Sequence, residues 1–145
     1  MLKGHSPLLT ADLLHALRAM GHGDELAIVD ANFPAASVGR RLIEVPGAGS
    51  AEILAAVLAV LPVDTFESPA AVTMEVVEDA AAVPPPVREF SQVFAAAGLG
   101  AVAIGHVDRR AFYARARNAF AVVRTGELRP YGNVLVVKGV VNAAP

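Results

Sequence analysis

The sequence predicts a single α/β domain in which helices cover the faces of a β-sheet. Short apolar runs typical of buried strands alternate along the whole chain with longer segments whose apolar residues recur at helical spacing. The length of 145 residues is that of one ordinary domain, and no linker or internal repeat divides it. We therefore treat residues 1–145 as one domain.

The first half of the chain is predicted to form two helices and three strands. Thr10 can cap the first helix, whose leucines repeat at helical spacing, and Gly21 can end it. Ser50 can cap the second helix, and Pro62 can terminate it. The predicted elements are a helix over residues 11–20, strands over 25–30 and 41–45, a helix over 51–61 and a strand over 71–77.

The second half is predicted to form two helices and three strands. A proline near the start and Gly98 beyond the end delimit one helix, and Asp108 is an acidic cap for the other. The predicted elements are a helix over residues 86–97, a strand over 101–104, a helix over 108–120 and strands over 121–124 and 134–138.

The composition indicates a chain that associates with itself. Apolar residues make up 54% of the sequence and charged residues 18%, which is below the roughly 25% of ordinary globular chains. So large an apolar excess predicts a substantial subunit interface, although an alanine-rich composition would also raise the count.

Charge and cysteine content narrow the function classes. The net charge of −2 gives no basic surface for nucleic acid or an anionic membrane. The chain has no cysteine, which excludes disulfides, thiolate nucleophiles and cysteine metal sites. The longest apolar run, residues 53–61, is about half of what a bilayer requires, and the first residues do not read as a signal peptide, so we expect a cytoplasmic protein.

Two polar residues flank the first predicted strand. His22 lies between two glycines after a helix, and imidazole is the side chain that best exchanges protons near neutral pH. From spacing alone, a surface turn is the favoured explanation for such a histidine. Asp30 ends the strand, where α/β sheets place ligands, but it could also simply form a turn with Asn32. The other histidines show no metal-ligand spacing, so we expect no metal site.

Further candidates lie in the second half. Arg109, Tyr113 and Arg117 form one polar stripe along a predicted helix, either a binding surface or a solvated face. Tyr131 and Asn133 flank Gly132, which could bend the backbone and present both side chains together. Asp64 follows a helix stop and is either a turn residue or a site residue. No nucleotide-binding or nucleophile motif is present, so we expect no cofactor.

Taken together, the motifs are similar to those of the ribose-pyranase/fucose-mutarotase family, in its fucose-mutarotase branch. The segments that carry the resemblance are Met20-Gly-His-Gly-Asp-Glu, Asp30-Ala-Asn-Phe-Pro-Ala, Leu61-Pro-Val-Asp-Thr, Arg110-Ala-Phe-Tyr, Val122-Val-Arg-Thr-Gly-Glu and Tyr131-Gly-Asn-Val. They occur in order over nearly the whole chain. The resemblance implies cofactor-free interconversion of sugar anomers on an α/β fold that assembles into cyclic homo-oligomers, often decamers.

The resemblance also implies roles for individual residues. His22 matches the catalytic acid/base of the family, with Asp64 and Tyr113 at positions implicated in the fucose branch. Asp30, Arg109, Tyr131, Gly132 and Asn133 match sugar-binding positions. Arg109 and Gly132 favour a fucose-like substrate. The expected ligand is therefore a monosaccharide. The alternatives are a D-ribose pyranase, a noncatalytic sugar-binding module and a purely structural oligomer.

Overall fold

A computed structural model describes residues 2–142 and contains one mixed six-stranded sheet between two layers of helices. The strands are β1 (Glu25–Val29), β2 (Leu42–Val45), β3 (Ala71–Met74), β4 (Ile104–Val107), β5 (Ala121–Thr125) and β6 (Val134–Val137). The helices are α1 (Ala11–Ala19), α2 (Ala35–Val38), α3 (Ser50–Leu58), α4 (Pro85–Ala96) and α5 (Arg109–Asn118). The α/β fold class predicted from the sequence is confirmed.

The strand order is β2-β5-β1-β6-β3-β4, and β6 runs antiparallel to the other five. Because the other five are parallel, the sheet has two distinct edges. We call the edge where these strands end the carboxyl edge (residues 30–34, 75–80, 108–113 and 125–133). The edge where β1 and β3 begin is the amino edge (residues 20–24, 62–67 and 138–139).

Each face of the sheet packs one apolar cluster. The larger cluster lies under α1, α3 and α4 and includes Leu13, Ile53, Phe90 and Phe94. The smaller lies under α2 and α5 and is centred on Phe112. Strands β1, β3 and β6 are buried on both faces, which is why their sequences are continuous apolar runs.

Several predicted boundaries are confirmed by the caps. The Thr10 hydroxyl accepts the N–H of Leu13 at the start of α1, and the Asp108 carboxylate accepts the N–H of Ala111 at the start of α5. The stripe of Phe112, Ala116 and Ala119 is buried, as a helix packed on the sheet requires.

Three element predictions were wrong. The strand predicted over residues 101–104 is instead a turn, and β4 begins at Ile104, which pairs with Ala71. Ser50 does not cap α3 because it lies inside the first turn; Gly49 is the cap, and its N–H donates to the Glu52 carboxylate at 2.9 Å. Helix α2 was not predicted. Over residues 2–142, no helix is both long and apolar enough to cross a bilayer.

Candidate functional site

His22 and Asp64 meet at the amino edge. Nε2 of His22 lies 3.2 Å from Oδ1 of Asp64, with the imidazole 48% exposed and the Asp64 side chain 1% exposed. The ring of Phe66 stands edge-on to the imidazole, with centroids 5.7 Å apart. The arrangement leaves one side of the imidazole open to solvent and fixes the other.

The loops that carry His22 and Asp64 are both hydrogen-bonded to the end of β6. The N–H of Gly23 donates to the Lys138 carbonyl at 2.9 Å, and the N–H of Asp64 donates to the Val137 carbonyl at 3.0 Å. Gly23 has a φ of 83°, a left-handed conformation that glycine adopts without strain. Residues 42 positions apart are thereby held side by side.

The environment of Asp64 keeps its carboxylate ionised. The backbone N–H of Phe66 lowers the pKa of Asp64 most, and the hydrogen bond from His22 and the backbone N–H of Glu67 lower it further, against the opposing effect of burial. An ionised carboxylate only accepts hydrogen bonds, so the Nε2 of His22 must be the donor. Nδ1 is then the nitrogen able to accept a proton, and among residues 2–142 no group is hydrogen-bonded to it.

Asp30 and Asn133 form a buried reciprocal pair at the carboxyl edge. The backbone N–H of Asp30 donates to the Asn133 side-chain oxygen at 2.9 Å, and the Asn133 amide donates to Oδ2 of Asp30 at 2.9 Å. Oδ1 of Asp30 accepts the backbone N–H groups of Asn32 and Phe33. Asp30 therefore does form the turn that the sequence allowed. A carboxylate has about four acceptor positions, so one is left for a ligand hydroxyl.

The bend between Tyr131 and Asn133 differs from the prediction. The residue with positive φ is Tyr131, at 64°, whereas Gly132 is outside the left-handed region. Gly132 is required for packing instead: a Cβ there would lie 2.6 Å from Cγ of Glu127 and 3.1 Å from Oγ of Ser50. The Tyr131 hydroxyl accepts the backbone N–H of Val77 at 3.1 Å and keeps its own hydrogen for another partner.

Arg109 and Tyr113 complete the polar groups of this edge. Arg109 is exposed and lines a cavity of about 560 Å³ under the loop of residues 75–80. Tyr113 is half-buried against Phe33, with ring centroids 4.8 Å apart. Because Val77 both lines the cavity and binds Tyr131, the loop joins Arg109 to Tyr131.

The predicted site residues thus fall into two groups separated by the length of β1. His22 and Asp64 lie at the amino edge, and the other six lie at the carboxyl edge. Glu25 to Asp30 alone spans roughly 16 Å of extended strand. A general base must lie within about 3 Å of the proton it moves. One chain therefore cannot bring His22 to a ligand held by Asp30.

The sequence analysis did not predict the charged cluster of Glu89, Glu127 and Arg129 at the carboxyl edge. Arg129 is paired with Glu127 and Glu89, and the Glu127 side chain is 6% exposed. The signal available was a charged residue two positions after a buried strand, in Thr125-Gly126-Glu127. No group of three or more metal-ligating side chains is found within residues 2–142.

The family model described as the RbsD / FucU transport protein family matches residues 3–141. The fucose mutarotase of Homo sapiens is 44% identical over 151 residues, covering 99% of this chain and 97% of that protein.

Solved structures share the fold of this chain. The crystal structure of the fucose mutarotase of Streptococcus pneumoniae in complex with L-fucose has a TM-score of 0.91 and 35% identity, covering 97% of this chain and 100% of that one. Bacillus subtilis RbsD complexed with D-ribose has a TM-score of 0.76 at 23% identity, covering 98% and 100%, a likeness of fold alone.

Proposed function

Because the chain belongs to the RbsD/FucU family, we propose that it is an L-fucose mutarotase, a cofactor-independent isomerase that interconverts the α and β anomers of a pyranose. Relatives named as fucose mutarotases extend over its full length. The observation that carries the chemistry is the half-exposed imidazole of His22, held at Nε2 by an ionised carboxylate.

Mutarotation needs only proton transfers. The anomeric hydroxyl loses a proton, the ring oxygen gains one, and the bond between the anomeric carbon and the ring oxygen breaks to give the open aldehyde. Rotation about the adjacent carbon–carbon bond and the reverse transfers close the ring on the other face. Nδ1 of His22 is the group that would exchange these protons, and general acid–base catalysis contributes about 10²–10⁴-fold.

The carboxyl edge supplies the groups that would hold the sugar. Asp30 has an acceptor position left, the Tyr131 hydroxyl has a hydrogen left, and Arg109 presents donors at the cavity. Asn133 fixes Asp30, and Tyr113 would assist proton transfer from its place beside Phe33.

Separation of the two edges requires that each site be shared between subunits. We propose a homo-oligomer, as in the family a decamer, in which the amino edge of one subunit meets the carboxyl edge of its neighbour. Large apolar side chains support this contact: Phe66 is 74% exposed beside His22, and Leu128 is 77% exposed at the carboxyl edge. A heterologous contact of this kind closes into a ring when the rotation between neighbouring subunits is a whole fraction of a full turn. We place the activity in the cytoplasm, since a chain without cysteine needs no oxidising compartment.

The activity is tested by NMR saturation transfer between the anomers of L-fucose, D-ribose and related sugars, with protein, with His22→Ala and with buffer alone. We expect exchange above buffer for L-fucose, and loss of that exchange in His22→Ala. Wild-type protein that exchanges only ribose forms would indicate a pyranase instead. Binding without exchange, or a fully active His22→Ala variant, would refute the mechanism.

The shared site is tested by mixing two inactive variants. Co-expressed His22→Ala and Asp30→Ala subunits with different tags should form mixed oligomers in which about a quarter of the sites combine two intact edges. The control is His22→Ala mixed with the His22→Ala/Asp30→Ala double variant, which contains no intact amino edge. No recovery in the first mixture would mean that each site lies within one chain.

A further inference from the structure

Within the carboxyl edge, Glu127 is a buried carboxylate surrounded by hydrogen-bond donors. Nε of Arg129 lies 2.9 Å from Oε1, Nη2 of Arg129 lies 2.8 Å from Oε2, and the backbone N–H of Arg129 donates to Oε1 at 3.0 Å. The Arg129 side chain lowers the pKa of Glu127 to about 2, with smaller contributions from backbone N–H groups that include that of Ser50. Glu127 is therefore ionised at neutral pH.

The residues on both sides of Asp30 are hydrogen-bonded to the segment from Thr125 to Glu127. The carbonyl of Glu127 accepts the N–H of Ala31 at 2.8 Å. The Thr125 hydroxyl donates to the carbonyl of Val29 at 2.9 Å, and accepts the N–H of Glu127 at 3.2 Å. The residues before and after Asp30 are thus bonded to one short segment that ends at Glu127.

The side chain of Glu127 also packs against the bend between Tyr131 and Asn133. Its Cγ packs against Gly132 so closely that a Cβ at Gly132 would lie 2.6 Å away. Gly132 separates Tyr131 from Asn133, whose side chain bonds both the backbone and the carboxylate of Asp30. Glu127 thus contacts a neighbour of each member of the Asp30–Asn133 pair: its carbonyl binds Ala31, and its side chain packs against Gly132.

We infer that Glu127 is a positioning residue that holds Asp30 and the Tyr131–Asn133 bend in one rigid unit for sugar binding. The inference rests on the proposed mutarotase function. Glu127 itself is not a catalytic residue, since its carboxylate is occupied by Arg129 and lies behind Gly132. Glu127 restricts the motion of Asp30 and of the Tyr131–Asn133 bend, whose polar groups must lie within hydrogen-bond distance of the sugar hydroxyls.

The role requires a carboxylate and not only a side chain of this shape. Every polar partner of the Glu127 carboxylate is a donor: the guanidinium and backbone N–H of Arg129 and the backbone N–H of Ser50. A glutamine in its place would turn an amide N–H toward one of these donors, and a buried donor without an acceptor is costly. Glu127→Gln therefore loosens the unit while keeping nearly the same volume.

The test compares Glu127→Gln with a matched control, Glu89→Gln, which removes the other, more exposed carboxylate bound to Arg129. Kinetics of L-fucose anomer exchange should show KM raised about tenfold in Glu127→Gln with kcat changed less than about twofold, and both nearly unchanged in Glu89→Gln. A purely structural role would instead lower the active fraction, and with it kcat, at constant KM. That result would overturn the inference.

Amide hydrogen exchange gives a readout that needs no sugar. In Glu127→Gln the amides of Asp30 and Ala31 should exchange faster, while that of Gly23 at the amino edge should not. Protection of Asp30 and Ala31 equal to wild type would refute the positioning role. If wild type shows no anomer exchange, the proposed function fails, and amide exchange still decides the role of Glu127.

Two further variants keep the test decisive if Glu127→Gln does not fold. Glu127→Asp keeps the charge but withdraws it by one methylene, and should give a KM between those of wild type and Glu127→Gln. If Glu127→Gln is insoluble, Arg129→Gln removes the cation instead and should raise KM in the same direction. A KM equal to wild type in Arg129→Gln would contradict the inference.

Discussion

The two edges of the sheet differ in how tightly their polar groups are held. At the amino edge the His22 imidazole is half exposed and bonded to a single carboxylate, that of Asp64. At the carboxyl edge Asp30 and Asn133 are buried and bonded to each other twice. A group that moves protons needs access to its substrate, whereas groups that recognise hydroxyls need fixed positions. The difference supports the proposed roles, with the acid/base His22 at the open edge and sugar recognition at the rigid one.

Strand β6 joins the two edges. All four of its residues are buried, Asn133 precedes it, and Lys138 follows it. The Lys138 ammonium donates to the carbonyls of Leu17 and Met20 at the end of α1, 2.8 Å and 2.6 Å away, just before the His22 loop. Because β6 alone is antiparallel, it starts at the rigid edge and ends at the open one. Both half-sites are therefore tied to one strand.

The largest effect is expected when the rigid edge is broken at Asn133. Asn133→Ala removes both side-chain bonds to Asp30 and leaves a buried N–H and a carboxylate oxygen unsatisfied. We expect a loss of about 2–5 kcal/mol in the free energy of unfolding. Denaturant melts at matched protein concentration would measure it, since oligomer stability depends on concentration.

The control for this variant is Asn32→Ala, because Asn32 is exposed and donates through its backbone. We expect it to stay within about 0.5 kcal/mol of wild type. If Asn133→Ala cost no more than this control, the carboxyl edge would not be the rigid half of the molecule.

A smaller loss is expected when the same edge is overpacked. The added methyl group of Gly132→Ala would lie 2.6 Å from Cγ of Glu127, and Glu127 is fixed by Arg129. Overpacking typically costs about 1–3 kcal/mol. Gly47→Ala is the matched control, since a Cβ at Gly47 meets nothing within 4 Å. Thermal melts that ranked the two variants equally would show that this region can relax.

Local signals in the sequence predicted most of the fold. Thr10 and Asp108 cap their helices through side chains three residues from the bonded N–H, a relation that lies within the sequence itself. The strand expected over residues 101–104 failed for the opposite reason. Its apolar run resembles a strand, but β4 starts only where Ile104 can pair with Ala71, a partner far away in sequence.

The site was harder to predict because its contacts span the chain. His22 and Asp64 are 42 residues apart, and Asp30 and Asn133 are 103 apart. Taken alone, each had an ordinary explanation as a turn residue, and for Asp30 and Asp64 that explanation is also correct. A role for Glu127 could not be predicted, because one charged residue after a strand carries no signal until its burial is known.

At the open edge, a moderate kinetic effect is expected from Asp64→Asn. The change removes the charge that holds Nε2 of His22 as a donor while leaving Nδ1 exposed. We expect kcat for anomer exchange to fall about tenfold with little change in KM, since the proposed sugar-binding groups lie at the other edge. Glu67→Gln, on the same loop with an exposed side chain, is the control. A rise in KM without loss of kcat would place Asp64 among the binding groups.

The smallest effect concerns how the free energy of unfolding depends on pH and salt through two carboxylates. They are Glu127 at the carboxyl edge and Asp64 at the amino edge. Both have lowered pKa values, so each stabilises the folded state above its usual pKa and loses that contribution as pH falls through its folded value. For Glu127 the window runs from 4.5 down to about 2; for Asp64 it begins at 3.8.

High salt should weaken the contribution of one carboxylate more than that of the other, because the causes of their pKa shifts differ. A partly exposed guanidinium dominates for Glu127, whereas backbone N–H of Phe66 is the largest cause for Asp64. Salt of about 1 M screens the first more than the second. The stability difference between wild type and Glu127→Gln at pH 7 should therefore narrow with salt, and that between wild type and Asp64→Asn should stay nearly constant. If chemical denaturation showed that both stability differences change equally with salt, the two carboxylates would be stabilised by the same kind of interaction.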